Sequence, residues 1–154
     1  MNKRELFQYV RSASPVTLEG ARECPDCVEV RVDAKDLLSF MRFLKTNDVL
    51  AFDLISDVTA VDHYTSRKPR FDVVYHIFSL KNSQRIRVKV AVDEGESVVS
   101  VTSVWRGAEW LEREVYDMFG IWFDDHPDMR RILMPEDYKY FPLRKDFPLE
   151  GIED

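Results

Sequence analysis

The sequence predicts an α+β domain: a mostly antiparallel sheet with helices on one face, followed by an extended C-terminal arm. Three observations carry this. Between residues 50 and 104, β-permissive segments follow one another across short polar turns, as in consecutive hairpins. Apolar stripes at helical spacing lie on both sides of that run. Beyond Phe123 neither period persists, although aromatic residues continue. The domain is therefore expected over residues 1–123 and the arm over 124–154.

The elements follow in chain order. Asn2-Lys3-Arg4-Glu5 has capping-box spacing ahead of Leu6, Phe7 and Val10, which predicts a short first helix. Residues 12–24 read as a mixed loop. Val28, Val30 and Val32 alternate with Glu29 and Arg31, as in a half-buried strand. Asp33 is placed to cap a second helix with Leu37, Leu38, Met41 and Leu44 on one face, ended by Asn47-Asp48. Residues 50–62 favour strand, with Asp57 and Asp62 as punctuation. Phe71–Leu80 reads as a long strand and Lys81–Gln84 as a turn. Arg85–Val92 is the clearest strand, with Ile86, Val88, Val90 and Val92 inward and Arg85, Arg87 and Lys89 outward. Asp93–Ser97 turns again, and Val98–Val104 gives one more strand. Over Gly107–Gly120, Ala108, Leu111, Val115 and Met118 mark a helix, and Gly120 suits its left-handed stop. The remainder holds four of the seven prolines but also Tyr138, Tyr140, Phe141 and Phe147, which a flexible linker does not carry. From about Pro135 onward these aromatics bury too little to offset backbone ordering, so the arm is expected to order only against a partner.

Composition narrows the function. With 154 residues, 45% hydrophobic and 32% charged, the chain is in the range of soluble globular domains. Lys3, Arg4, Glu5, Gln8 and Arg11 leave no apolar signal core near the start, and no apolar run approaches the length of a membrane span. Only two cysteines occur, which gives no disulfide framework and suits a reducing compartment. The five glycines are never closer than twelve positions, so neither a dinucleotide G-x-G-x-x-G loop nor a Walker loop can be written. Redox or phosphate chemistry would need a cofactor held by another chain.

Individual candidates reduce to structural roles. Cys24-Pro25-Asp26-Cys27 is a lone C-x-x-C; a structural zinc site needs four ligands, and His63, His76 and His126 stand at no finger spacing. It is expected to be an incidental thiol pair, and His63 and His76 are expected to be satisfied by neighbouring backbone or acidic groups. Residues 65–92 hold seven cations against the single acid Asp72, whereas 93–128 hold ten acids against Arg106 and Arg113. With a net charge of −6, this asymmetry fits charge pairing within or between subunits better than phosphate tracking.

The densest signal is Glu112-Arg113-Glu114 with Asp117 on the last predicted helix, where Arg113 lies one turn from Glu109 and Asp117. It is followed by His126, Arg130 and Arg131, and then by Pro142-Leu143-Arg144-Lys145-Asp146. Arginine and carboxylate on proline-stiffened backbone suit fixed bidentate contacts across an interface.

These residues resemble the C subunit (30 kDa subunit family) of proton-pumping NADH–quinone oxidoreductase, respiratory complex I. Glu112-Arg113-Glu114-Val115-Tyr116-Asp117 matches that family's E-R-E-x-x-D helix; six residues then separate Phe119 from His126, and Arg130 follows after three more. The resemblance also covers Asp57–Asp62, Phe71–Val92, Val101–Trp105 and Pro142–Gly151. Two positions depart from it: Asp125 and Phe141 stand where many members have Gly and His.

The resemblance implies a structural member of the peripheral arm, with no catalytic, cofactor-binding or metal-binding residue of its own. FMN, iron–sulfur clusters and quinone would sit in other subunits. Its partners would be the D subunit of complex I above all, with the B and I subunits, on the cytoplasmic side of the bacterial membrane. Glu112, Arg113, Glu114, Asp117, His126, Arg130, Arg131 and Pro142–Asp146 would form the signature and the interface between subunits. The alternatives are the equivalent subunit of a membrane-bound hydrogenase or of a complex with another donor, or a free-standing C-x-x-C redox or zinc protein.

Overall fold

The computed structural model describes residues 1–152. Helix α1 (Lys3–Ala13) opens on the capping box, with Asn2 Oδ1 accepting from Glu5 N at 2.9 Å and Glu5 Oε2 from Asn2 N at 2.8 Å. Strand β1 (Leu18–Glu23) then pairs antiparallel with β2 (Val28–Val32). β1 falls where the sequence predicts a loop. It is an edge strand whose residues are half-buried or exposed, so no alternation marks it, and its backbone is ordered by β2. Asp33 caps a short 3₁₀ turn, Ala34–Asp36, that leads into α2 (Leu37–Thr46). Asn47 ends α2, as expected.

β3 (Leu54–Asp62), β4 (Phe71–Ser79) and β5 (Gln84–Val92) form an antiparallel meander. Asp57 marks a register irregularity in β3, and Asp62 is its last residue. The sheet order is β1-β2-β5-β4-β3, with β2 parallel to β5 and Val30 opposite Val88. Hairpins alone do not predict that parallel pair. The expected strand Val98–Val104 shortens to β6 (Ser97–Val99), because the amides of Val104 and Trp105 turn back to Val101 O and the Val101 amide goes to Glu112. After α3 (Ala108–Phe119), β7 (Trp122–Asp124) pairs parallel with β6.

Leu6 and Val10 of α1, Phe40 and Leu44 of α2, and Val115 and Phe119 of α3 share one core with Val30, Val58, Tyr75 and Val88. The helices therefore occupy one face of the sheet. Glu29, Arg31, Asp72, Arg87 and Lys89 alternate to the other face.

Past Asp124 there is no further helix or strand among the described residues, yet the arm lies on its own domain. Leu143 N donates to Met118 O at 3.0 Å, Arg144 Nε to Phe119 O at 2.7 Å, and Lys145 N to Asp62 Oδ2 at 2.8 Å. This differs from an arm ordered by a partner alone. The reason is polar: free carbonyls at the end of α3 and the Asp62 carboxylate supply partners that a tally of aromatic area leaves out. Gly120, at φ 78°, makes room for the arm, since a Cβ there would lie 2.6 Å from Arg144 Nη2 and 2.7 Å from the Phe141 ring.

Candidate functional site

The signature centres on α3, which buries three polar side chains on a helix otherwise packed by Ala108, Val115, Met118 and Phe119. Glu112 is fully buried; its Oε2 is 2.6 Å from Ser100 Oγ, and its Oε1 accepts from Val101 N at 2.7 Å. Burial pushes its pKa up to about 7, against the pull of those two bonds. His126 Nε2 lies 4.0 Å from Glu112 but bonds the Glu109 carbonyl at 2.9 Å, while Asp128 N donates to His126 Nδ1 at 3.0 Å. That pattern assigns the proton to Nε2.

Arg113 and Asp117 hold the start of the arm. Arg113 Nε and Nη2 donate to the carbonyls of Arg130 and Arg131 at 3.1 and 3.0 Å, and its guanidinium lies 4.7 Å above the Trp110 ring. Asp117 Oδ2 accepts three successive amides, from Ile132, Leu133 and Met134, at 3.2, 2.7 and 2.9 Å. Its Oδ1 takes Arg131 Nη1 at 2.8 Å. Burial opposes the charge on Asp117, but Arg131 and the three amides outweigh it and keep the pKa below the usual carboxylate range. The helical neighbours Glu109 and Asp117 are not the partners of Arg113; the arm's backbone is.

The other signature residues separate into two groups. Arg131 stays with Asp117 and lies 4.8 Å over Phe141, whereas Glu114 is exposed and the exposed Arg130 side chain pairs with Asp128, with Glu136 at 4.0 Å. Pro142 and Leu143 run along the end of α3, with the Leu143 side chain exposed. Arg144 reaches Glu94 at 2.9 Å, the Lys145 amide reaches Asp62, and Asp146 takes Arg70 Nη2 at 2.9 Å. Sequence reasoning misses Asp62, Arg70, Glu94 and Ser100 as partners of this site. Only the spacing Asp62–Arg70 across one turn hints at pairing. Asp125 adopts φ 63°, which accounts for glycine at this place in the family pattern, since aspartate also tolerates that region.

Elsewhere, His63 bonds Asp72 at 3.1 Å, as expected of a satisfied histidine. Cys24 and Cys27 close the β1–β2 hairpin, with Cys24 N donating to Cys27 O at 2.8 Å. Both thiols are free, and burial raises that of Cys27 to about 11. Among the described residues, no cluster of three metal-ligating side chains occurs, and no helix is long and apolar enough to cross a membrane.

Comparison with known proteins bears on the same residues. The family model for respiratory-chain NADH dehydrogenase, 30 Kd subunit, matches residues 30–153. The chain is 50% identical over 151 residues to the C subunit of NADH-quinone oxidoreductase from Geotalea uraniireducens (strain Rf4), covering 97% of this chain and 90% of that one. It is 46% identical over 147 residues to the same-named protein of Sinorhizobium medicae (strain WSM419), covering 96% and 73%. Among solved structures, the trypsin-resistant fragment (1–134) of Nqo5 aligns with a TM-score of 0.67 at 30% identity, covering 83% of this chain and 99% of the fragment. A chain of the archaeal membrane-bound sulfane sulfur reductase aligns with a TM-score of 0.79 at 26% identity, covering 95% and 85%. The chain belongs to the family of the 30 Kd subunit of respiratory-chain NADH dehydrogenase.

Proposed function

We propose that this chain is a non-catalytic structural subunit in the peripheral arm of a proton-translocating NADH:quinone oxidoreductase. One observation carries the reading. The buried signature side chains Glu112, Arg113 and Asp117 are spent on the chain's own backbone, at Val101, at Arg130 and Arg131, and at Ile132–Met134. Groups held this way shape a surface and do not turn over a substrate. FMN, iron–sulfur clusters and quinone are assigned to other subunits, with the D subunit as main partner, the B and I subunits nearby, and the cytoplasmic side as location. The family name and the identity to C-subunit proteins favour NADH as donor over a hydrogenase-type or other complex, or a free-standing C-x-x-C protein.

The α3–arm surface is assigned to the interface with other subunits, with exposed Trp110, Trp122, Leu133 and Leu143 as its apolar contacts. Affinity purification of the tagged chain from its own cells tests this. The expected result is recovery of the other peripheral-arm subunits and NADH:quinone activity in the complex, with none in the isolated chain. Micromolar NADH binding to the isolated chain would overturn it.

A further inference from the structure

The face of the sheet opposite the helices is built around two carboxylates, each shared by several cations. Asp72 receives both Nη atoms of Arg31, at 2.7 and 3.0 Å, and both of Arg67, at 3.0 and 2.7 Å. Glu29 receives Arg22 Nε at 2.9 Å, Arg87 Nη1 at 3.0 Å and Lys89 Nζ at 3.3 Å. Five cations thus gather round two acids, in a chain of net charge −6. The strand register enforces their closeness. Arg31 stands opposite Lys89 in the parallel β2–β5 pair, and like charges so placed repel. Asp26 and Asp57 lie to one end of the face, beside Cys27, His76 and Arg87, and Glu19 lies near Arg31, so the acids within the chain border the cluster and leave it with an excess of cations.

We infer that this face docks an acidic segment of another subunit, whose Asp or Glu side chains take the spare guanidinium and ammonium donors around Asp72 and Glu29. The inference rests on the reading that the chain works inside a hetero-oligomer. Charge complementarity selects the occupant, and the surface selects polypeptide over lipid. Val74, at the middle of the face, is 4% exposed, and the exposed apolar side chains Leu54 and Val61 stand apart on the edge strand β3, too few to seat the face in a bilayer. Guanidinium forks match planar carboxylates, and Arg31 and Arg67 already show that geometry on Asp72. Such a contact adds orientation and association rate, and salt weakens it.

The test compares lysine acetylation by an N-hydroxysuccinimide ester in the purified complex and in the isolated full chain, read at Lys89 by mass spectrometry. Docking predicts labelling roughly tenfold slower in the complex, with the protection lost when salt releases the chain. Carbodiimide activation of the complex should then join the Lys89 amine to an Asp or Glu carboxyl of another subunit, with loss of water. Equal Lys89 labelling in a complex that contains the chain would overturn the docking and leave its place in the assembly intact. A chain that enters no complex would instead sink the functional reading, and this inference with it. A cross-link to a second copy, or protection by phosphatidylglycerol vesicles without protection in the complex, would also overturn it.

Discussion

Arg70 and Asp62 form a buried ion pair in which each partner also holds a residue of the arm. Arg70 Nε and Nη2 donate to the Asp62 carboxylate at 2.8 and 2.9 Å; Nη2 also reaches Asp146, and Asp62 accepts the Lys145 amide. The guanidinium lies 4.9 and 5.0 Å from the Tyr64 and Phe71 ring centres. Burial disfavours the Asp62 charge, but Arg70 and the amides of Lys145 and Tyr64 outweigh it and hold the pKa at about 2.

Arg70→Met leaves Asp62 buried without its counter-charge and should cost about 3–5 kcal/mol in urea unfolding. Exchange of the Lys145 amide should accelerate with it. Arg70→Lys keeps the charge and loses the fork, so a smaller loss is expected. A Met variant within about 0.5 kcal/mol of the parent would show that the pair supports nothing.

Glu112 makes stability depend on pH in the opposite sense to Asp62. Its folded pKa of about 7 exceeds its ordinary value of 4.5, so the folded chain holds that proton more tightly. Its favourable contribution is full below pH 4.5 and is lost as pH rises through about 7, a change of roughly 3 kcal/mol. That of Asp62 is full above pH 3.8 and is lost as pH falls through about 2. Stability should therefore decline from about pH 5 to about pH 8. Glu112→Gln reproduces the protonated acid, accepting from Val101 and donating to Ser100, and should flatten that decline. Urea midpoints across this range for both proteins decide it.

Asp117→Ala strands three amides and Arg131 at once. A loss of about 3 kcal/mol is expected, confined in hydrogen exchange to Ile132–Met134 and the residues after them. Unchanged protection of those amides would contradict the hydrogen-bond assignment.

At Gly120, alanine meets both a left-handed backbone and the Arg144–Phe141 contact. The conformational part alone costs about 1 kcal/mol, and displacement of the arm should roughly double it. The decisive reading is the Leu143 amide, which should exchange faster in Gly120→Ala than in the parent.

Local pattern makes much of the fold legible. β4, β5 and α3 stand within a residue or two of their expected bounds, because β5 and α3 carry a strong period along one face and β4 is dense in β-branched and aromatic residues. The capping box at Asn2 marks the start of α1 for the same local reason. β1 is invisible because in this edge strand only Leu18 and Ala21 are half-buried, a spacing that gives no alternation to read. Val101 reads as strand because its backbone partner, the Glu112 carboxylate, is a tertiary contact. Within the site, the residue types are legible but their partners are not. Helical spacing offers Glu109 and Asp117 to Arg113, whereas the chain delivers the carbonyls of Arg130 and Arg131.

The parallel seam between β2 and β5 imposes an order of events. The β3–β4–β5 meander closes through the local connections 63–70 and 80–83, so it can form early. β2 must instead wait until everything between Val32 and Gln84 has been gathered in. During synthesis the N-terminal hairpin emerges first, yet its docking edge is made later. Val28, Val30 and Val32 then pass through an interval of exposure, the point at which a nascent chain of this topology most needs a chaperone's cover.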